Sequence, residues 1–402
     1  MTTKRNVPSG TVELFGSDAI LRASILSTIQ EVYETMGFDA LQTPVLEFAE
    51  TFCGHHGEGE ELLFHLKDRQ DEDLVLRYDL TVPLARFIAN NPKAPIPFKR
   101  YQIATVFRDD IPDRGHFREF VQCDGDVIGI SDLSADADVI NLAYRGIKAF
   151  DIPLVIRVNH RLILKGISEG LGLDPMTDTV KIQRALDHID KKKADDLLLE
   201  VEKQGLDKSI APFIEKLINL EGTALQKLDE LSQILGKTQG EKGVQELREI
   251  LSYLSPEVLA SVDIDLSLAR GADYYTGFIL EGVVPGMNIG AILGGGRYDN
   301  LVKALGGPDL SAVGMAFGLE RLVAVCKEMG YLPPNANSDR TLVVSNDRSK
   351  NAALLQHTQD LRITGRADFI PMHGINDEAA IDYAKSRGFT TLILQEGKEL
   401  KI

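Results

Sequence analysis

Apolar positions return every third or fourth residue from Ser17 to Met36, at Leu21, Ile25, Ile29, Val32, Tyr33 and Met36. That spacing predicts a helix with one buried face, capped by Ser17 and ended by Gly37. FDALQTPVLEF then reads as a strand interrupted at Pro44, and Leu74–Tyr78 as another. A polar corner with Asp79 and Thr81 follows, and a helix from about Pro83. Two β-rich runs between Phe98 and Gly129, YQIATVF and FREFVQCDGDVIG, flank a polar Pro/Gly loop and predict a hairpin. LSADADVINLAYRGIKAF predicts a helix buried through Val139, Leu142, Ala143, Ile147 and Phe150, and PLVIRVNHRLIL a strand entering Asn159-His160-Arg161.

From about Asp174 to Ala260 the text becomes helical and rich in Leu, Lys and Glu, which reads as a helical insertion. Strand patterns return at Asp263, and AVGMAFGLERLVAVCKEM reads as a strand running into a helix with Arg321 in its first turns. Gly294–Gly296 mark a close backbone approach or a sharp bend. Pro and Asn density over residues 331–339 suggests a linker. Beyond it, strands and helices alternate over 340–402, predicting a small three-stranded parallel α/β unit that is cut short.

Composition narrows the class. The chain has 402 residues, 44% of them hydrophobic and 26% charged, as in globular proteins with real cores. No apolar run reaches the roughly 18 residues of a membrane helix and no signal segment opens the chain, so a cytoplasmic protein is expected. Three scattered cysteines, Cys53, Cys123 and Cys326, form no CxxC pair, which argues against a disulfide framework or structural zinc. Cys123 reads as a small buried residue. A formal net charge of −16 argues against a general nucleic-acid coat, though not against a local basic groove.

Candidate chemistry concentrates in the hairpin. Arg108 and Arg118 flank its loop, and Gln122, Asp124 and Asp126 share one face of its second strand. Cations at the turn with amide and carboxylate groups along the strand suit a ligand with a phosphate end and an amine or imidazole end. Asp124 itself reads as solvated or turn-stabilising, and Thr81 as either a helix cap or a ligand contact. His55, His56 and His65, near Glu58, Glu60 and Glu61, lack metal-site spacing and read as a solvated loop, so no metal site is expected. The KKKADD run reads as a solvated face or a contact to RNA phosphates.

Five stretches, taken together, carry a resemblance. LRYDLTVPLAR, the YQIATVFRDDIP…REFVQCDGDVIG hairpin, LARGADYYTG, GGGRYDNL and AVGMAFGLERL occur in the order found in class II aminoacyl-tRNA synthetases of the histidyl type. The chain thus resembles that family across residues 37–325, and from 340 it resembles the start of the family's anticodon-binding domain. The resemblance implies an α+β fold: an antiparallel sheet flanked by helices, with strands at Leu41–Val45, Leu74–Tyr78, Tyr101–Phe107 and Phe117–Ile130. It implies a catalytic domain over 1–330, with the insertion at 174–260, and a short C-terminal α/β domain.

It also implies roles. Arg108 would bind the ATP α-phosphate and the substrate carboxylate, Arg118, Arg321 and Gly318 would contact ATP, and Arg270 would be an extra cation at the reacting centre. Asp79, Thr81, Gln122 and Asp126 would receive the amino group and imidazole of histidine, framed by Tyr275 and Tyr298. Tyr274 and Tyr275 should alternate on a strand, with Tyr275 facing the pocket. The implied activity is histidine–tRNA ligation with ATP and Mg²⁺, by a homodimer acting on histidine and tRNA(His).

Some positions depart from the pattern. His116 stands where the family has an arginine, and Ala272 where a larger apolar residue is usual. Residues 338–402 hold nine Lys/Arg and nine Asp/Glu, a balance unlike a basic RNA-reading domain. Two other readings therefore stand beside the ligase. One is a histidine-binding regulatory paralogue of the kind serving ATP phosphoribosyltransferase. The other is an enzyme that activates histidine for an acceptor other than tRNA.

Overall fold

The computed structural model describes residues 6–52, 57–112, 117–187, 194–268, 274–333, 340–374, 376–394 and 398–402. The chain forms two compact units, Met1–Glu13 with Ile25–Tyr331, and Leu14–Ser24 with Leu332–Ile402.

In chain order the large unit contains α1 (Ser17–Thr35, which begins in the other unit), β1 (Asp39–Ala40), β2 (Leu46–Phe48), α2 (Ala49–Phe52), β3 (His65–Lys67) and β4 (Asp73–Leu76). It continues through α3 (Thr81–Asn90), β5 (Phe98–Phe107), β6 (Glu119–Ile128), α4 (Ser134–Lys148), β7 (Val155–His160) and α5 (Arg161–Gly170). A helical run follows: α6 (Asp178–Asp187), α7 (Ala194–Lys203), α8 (Ala211–Ile218), α9 (Ala224–Leu235), α10 (Gly240–Ser252) and α11 (Pro256–Leu259). The unit closes with β8 (Val262–Ile264), β9 (Phe278–Val283), β10 (Leu293–Arg297), α12 (Leu301–Ala304), β11 (Ala312–Gly318) and α13 (Leu319–Glu328).

An eight-stranded sheet in the order β1-β5-β6-β11-β10-β9-β7-β8 forms its centre. The six inner strands are antiparallel, while the edge strands β1 and β8 run parallel to their neighbours β5 and β7. The sheet is therefore not antiparallel throughout. The long hairpin forms as predicted, with β5 and β6 paired from Phe98↔Ile128 to Phe107↔Glu119. One face of the sheet is apolar and takes helices. Tyr33 of α1 packs so closely on β6 that a Cβ at Gly125 would sit 2.5 Å from its ring, and its hydroxyl donates to the Cys123 carbonyl. Phe317 of β11 packs against Gly146 of α4 in the same way. Ile25, Ile29 and Tyr33 of α1 are fully buried, as the periodicity predicts, and Gly37 ends that helix at φ +78°.

Two strand assignments change. Residues 41–45 are not a strand, because Pro44 separates the two-residue β1 from β2. The Leu74–Tyr78 run supplies β4, but β4 pairs with β2 and β3 in a separate three-stranded sheet. Both runs carry strand-like text, and only the partner distinguishes one sheet from the other.

The smaller unit holds β12 (Arg340–Ser345), α14 (Asn351–Thr364), β13 (Arg366–Pro371), α15 (Asp377–Ser386), β14 (Thr391–Ile393) and β15 (Glu399–Lys401). Its sheet order is β13-β12-β14-β15. β12 pairs in parallel with β13 and β14, as the crossover helices predict, and β15 adds an antiparallel fourth strand in place of the expected three. Leu342, Val344, Ala380, Ala384, Phe389 and Leu392 form its core.

Candidate active site

Residues directly opposed in antiparallel strands project to the same face, so the sheet register places the site. One row across the sheet reads Arg100, Asp126, Gly314, Gly296, Ile279 and Asn159. The next reads Gln102, Asp124, Ala316, Gly294, Glu281 and Arg157, and a third reads Ala104, Gln122 and Gly318. The exposed face of β10 and β11 is therefore paved with glycine and alanine. Beside it, β5 and β6 raise a wall of amide, carboxylate and guanidinium groups. A shelf of small residues next to a charged wall lets a flat ligand lie against backbone while its polar end meets side chains.

The glycines are there because the space is taken. A Cβ on Gly314 would sit 2.0 Å from Asp126 Oδ1, and one on Gly296 would meet the Phe278 carbonyl at 2.6 Å and Tyr275 at 2.9 Å. At Gly294 and Gly318 the nearest atoms are 3.7 Å away, so the shelf is open at those two. Gly294–Gly296 lie in the middle of a paired strand, so the run marks close approach and not a bend.

Asp126 is 3% exposed and is gripped from two sides. Tyr298, itself buried, donates its hydroxyl to Oδ1, and Arg100 Nη2 lies 2.9 Å from Oδ2. The Arg100 contact is an ion pair by distance and not a linear hydrogen bond, while the same nitrogen donates to the Leu80 carbonyl at 2.9 Å. Arg100 is fully buried, and its Nε and Nη1 have no hydrogen-bond partner among the described residues. Gln122 Oε1 and Asp124 Oδ1 are likewise buried without a hydrogen bond. Such groups are costly unless a ligand or water completes them: the two oxygens match a group that donates N–H bonds, and the guanidinium one that accepts them.

The neighbouring corner closes over this wall. Asp79 Oδ1 accepts from the Val82 N–H at 3.1 Å and so caps α3, the role weighed for Thr81. Tyr274 donates to Asp79 Oδ2 at 3.5 Å and is held also by Thr81. Tyr274, Tyr275 and Tyr298 form an edge-to-face cluster, with centroids 5.1 and 5.7 Å from Tyr274. Tyr274 and Tyr275 precede β9 and do not alternate on a strand, so both pack inward.

Burial raises the Asp124 pKa well above the usual carboxylate range, and Asp126 and Asp79 raise it further against Arg100 and Arg108. Burial raises Asp126 as well, opposed by Arg100 and by the Tyr298 hydroxyl. Burial works against the Arg100 charge, but Asp126 and Asp124 outweigh it and raise its pKa.

The folded state therefore holds more protons than the unfolded chain between the ordinary Asp pKa and the raised ones. Stability contributed by this cluster falls as pH rises through that window. Removing one carboxylate should remove the slope. Asp124→Asn is expected to gain thermal stability over the parent progressively as pH rises from about 4 toward neutrality, read by melting curves at matched ionic strength. A constant difference across that range would show that Asp124 is ionised throughout.

The four predicted ATP contacts are Arg108, Arg118, Gly318 and Arg321. Arg108, at the end of β5, lies over the Tyr78 ring at 4.2 Å and the Phe120 ring at 5.1 Å, with Nε 3.4 Å from the Tyr78 carbonyl. Arg118 pairs with Asp109 at 3.1 Å and donates to the Asp110 carbonyl, which braces the base of the loop. Gly318 passes the chain from β11 into α13, and Arg321, in the first turn, donates to the Ala291 carbonyl at 2.7 Å. Both oxygens of Glu320 accept from the Val121 N–H, locking that helix start to β6.

Comparison with known proteins decides the family. The family model described as "Histidyl-tRNA synthetase" matches residues 10–322. The chain belongs to the histidyl-tRNA synthetase family. It is 41% identical over 317 residues to a protein named histidine–tRNA ligase from Aeropyrum pernix, covering 77% of this chain and 72% of that one. A protein of the same name from Bacteroides fragilis is 36% identical over 380 residues, covering 88% and 83%. The crystal structure of histidyl-tRNA synthetase from Nostoc sp. PCC 7120 superposes with a TM-score of 0.83 at 27% identity, covering 100% of this chain and 97% of that one.

The sheet of this histidyl-tRNA synthetase family member thus brings together Asp79, Thr81, Gln122, Asp126, Tyr275 and Tyr298 in one region. Arg270, Ala272, His116, Cys53, His55, His56 and Lys191–Lys193 lie outside the described residues. Asp124 is the clear correction: it is 3% exposed and belongs to the wall, not to solvent. The sequence-predicted site does not include Arg100, nor the aromatic partners Tyr78 and Phe120 of Arg108. The strand alternation that selected Gln122 and Asp126 also selects Asp124. Arg100 follows only once β5 is registered against β6.

Proposed function

We propose that this chain is a histidine–tRNA ligase. The observation that supports it is the strand face of Gln122, Asp124 and Asp126, where Gln122 Oε1 and Asp124 Oδ1 have no hydrogen-bond partner among the described residues, set beside a glycine shelf open at Gly294 and Gly318. An amine and an imidazole donate to such acceptors, and a nucleotide lies on such a shelf with its phosphates toward the arginines. In this reading the histidine carboxylate attacks the α-phosphorus of ATP, pyrophosphate leaves, and the histidyl group passes to the terminal adenosine of tRNA(His). Arg108 orients the carboxylate and the α-phosphate, while Arg270 adds charge at the reacting centre and Arg321 holds the leaving phosphates. Gln122, Asp79, Thr81 and Asp126 orient the amino acid, and no protein nucleophile takes part.

Among the described residues no group of three His, Cys, Asp or Glu side chains is placed to hold a metal ion. In this reading Mg²⁺ would be carried on the nucleotide phosphates, where it would offset their negative charge. Residues 1–330 make the catalytic domain in this reading, with the insertion at 174–260 and residues 340–402 available for tRNA contacts. Val45 and Leu66, each 40% exposed, and Leu46 and Phe48, each 50%, give the three-stranded sheet an apolar rim suited to a homodimer. Among the described residues no helix is long and apolar enough to cross a membrane, and a cytoplasmic location accords with the activity.

The test is histidine-dependent ATP–pyrophosphate exchange followed by tRNA charging. Both are expected. Histidine binding without exchange would identify a regulatory paralogue, and exchange without charging an enzyme with another acceptor.

A further inference from the structure

The site contains a buried cation that no assigned role uses. Arg100 is 0% exposed, and its guanidinium reaches two separate parts of the pocket. On one side stands the carboxylate of its cross-strand partner Asp126, at 2.9 Å. On the other stands the carbonyl of Leu80, also at 2.9 Å, between Asp79 and Thr81. These two parts are distant in sequence and belong to different elements. Arg100 is the described side chain that ties them directly. Both contacts are made by Nη2, whose two N–H directions are fixed in the rigid guanidinium plane.

We propose that Arg100 is a positioning residue for amino-acid recognition. By bridging Asp126 to the 79–81 corner, it sets the spacing between the carboxylate that receives the side chain and the corner that receives the amine, and its charge opposes protonation of Asp126. This rests on the histidine reading of the site. Among the described residues the groups facing Asp126 are Arg100 on β5, Asp124 on β6, Tyr298 after β10, Asp79 before α3 and Tyr275 before β9, while Tyr33 of α1 lies behind the sheet on the Gly125 face. Gly314 on β11 offers no titratable group. Arg100 is the cation among these described groups, so its loss leaves the Tyr298 hydrogen bond alone against burial and the neighbouring acids, which favour the proton.

The experiment compares the full chain with Arg100→Met and Arg100→Lys. The parent is measured first, by exchange and by calorimetric titration with histidine. In Arg100→Met the KM for histidine should rise at least about tenfold with the KM for ATP unchanged. The acid limb of kcat/KM for histidine should move to higher pH. Arg100→Lys should restore the acid limb but not the KM, because an ammonium supplies charge without the fork. A folded Arg100→Met with parental histidine KM and acid limb would overturn the proposal. Should that variant not fold, Arg100→Lys decides: a parental histidine KM overturns it and a raised one supports it. A parent that binds histidine without exchange fails the ligase reading alone, and the same comparisons are then made on the histidine Kd. A parent that neither exchanges nor binds histidine overturns both.

Discussion

Arg108→Ala is expected to lower histidine-dependent ATP–pyrophosphate exchange by about 10³-fold while the chain stays folded. The reason begins with the side chain's surroundings. Arg108 is the first residue past β5, where the hairpin leaves the sheet, and Tyr78 and Phe120 face its guanidinium at 4.2 and 5.1 Å. Stacking on the rings leaves the edge of the fork available for oxygens, and a guanidinium so held loses little entropy when it binds. Arg108→Lys should recover little, because an ammonium neither stacks flat nor contacts two oxygens in one plane. The two aromatic faces remain in either variant, so the fold should be little affected, which circular dichroism and melting would verify. Histidine affinity should fall much less than exchange, since in the proposed reaction only the carboxylate end of the amino acid would meet Arg108. Exchange within about tenfold of the parent would remove Arg108 from the reacting centre.

The hairpin was the most legible part of the chain, for a local reason. Its two strands are long, adjacent in sequence and patterned at period two, so Gln122 and Asp126 could be placed on one face without a partner. α1 and α4 were legible on the same terms, through 3.6-residue periodicity. What failed depended on distant neighbours. FKRYQ reads as a basic entry to a strand, and nothing local says that Arg100 is sealed under the Leu80 corner. Asp124 carries a charge that normally implies solvent, and only the cluster of Arg100, Gln102 and the 79–81 corner explains its burial. The runs 41–45 and 74–78 are short, and short apolar text does not name its sheet. Tyr274 and Tyr275 sit beside strand text, yet their cluster with Tyr298 pulls them out of the ladder. The glycine run was located correctly, but its meaning required the register: alternate glycines of β10 and β11 pave one face, while Gly295 is forced by the Gly314 carbonyl, 2.2 Å from where its Cβ would lie.

The GGGRYD stretch divides in the same way between site and scaffold, and its arginine belongs to the scaffold. Arg297 is 6% exposed and faces Asp136 in the first turn of α4 through both Nε, at 3.0 Å, and Nη2. Its Nη1 reaches the Ile130 carbonyl at 3.3 Å and Asp299 at 3.2 Å, and Asp299 in turn accepts from the Ala312 N–H. The guanidinium thus joins β10, β11 and the start of α4, on which the helix-bearing face of the sheet rests. Burial raises the Asp136 pKa, though Arg297 opposes the rise, so the carboxylate depends on its partner to stay charged. Removing one member leaves the other charge buried and unpaired, which costs about 3–5 kcal/mol. Arg297→Met is therefore expected to lower the melting temperature by roughly 10 °C. At temperatures where the variant remains folded, its KM for histidine and for ATP should match the parent, because Arg297 touches neither the shelf nor the wall. The double variant Arg297→Met/Asp136→Leu should recover much of the loss, since replacing both charges by apolar groups removes the unpaired ion. A double variant as unstable as the single one would show that the Ile130 and Asp299 bonds, and not the ion pair, hold this junction.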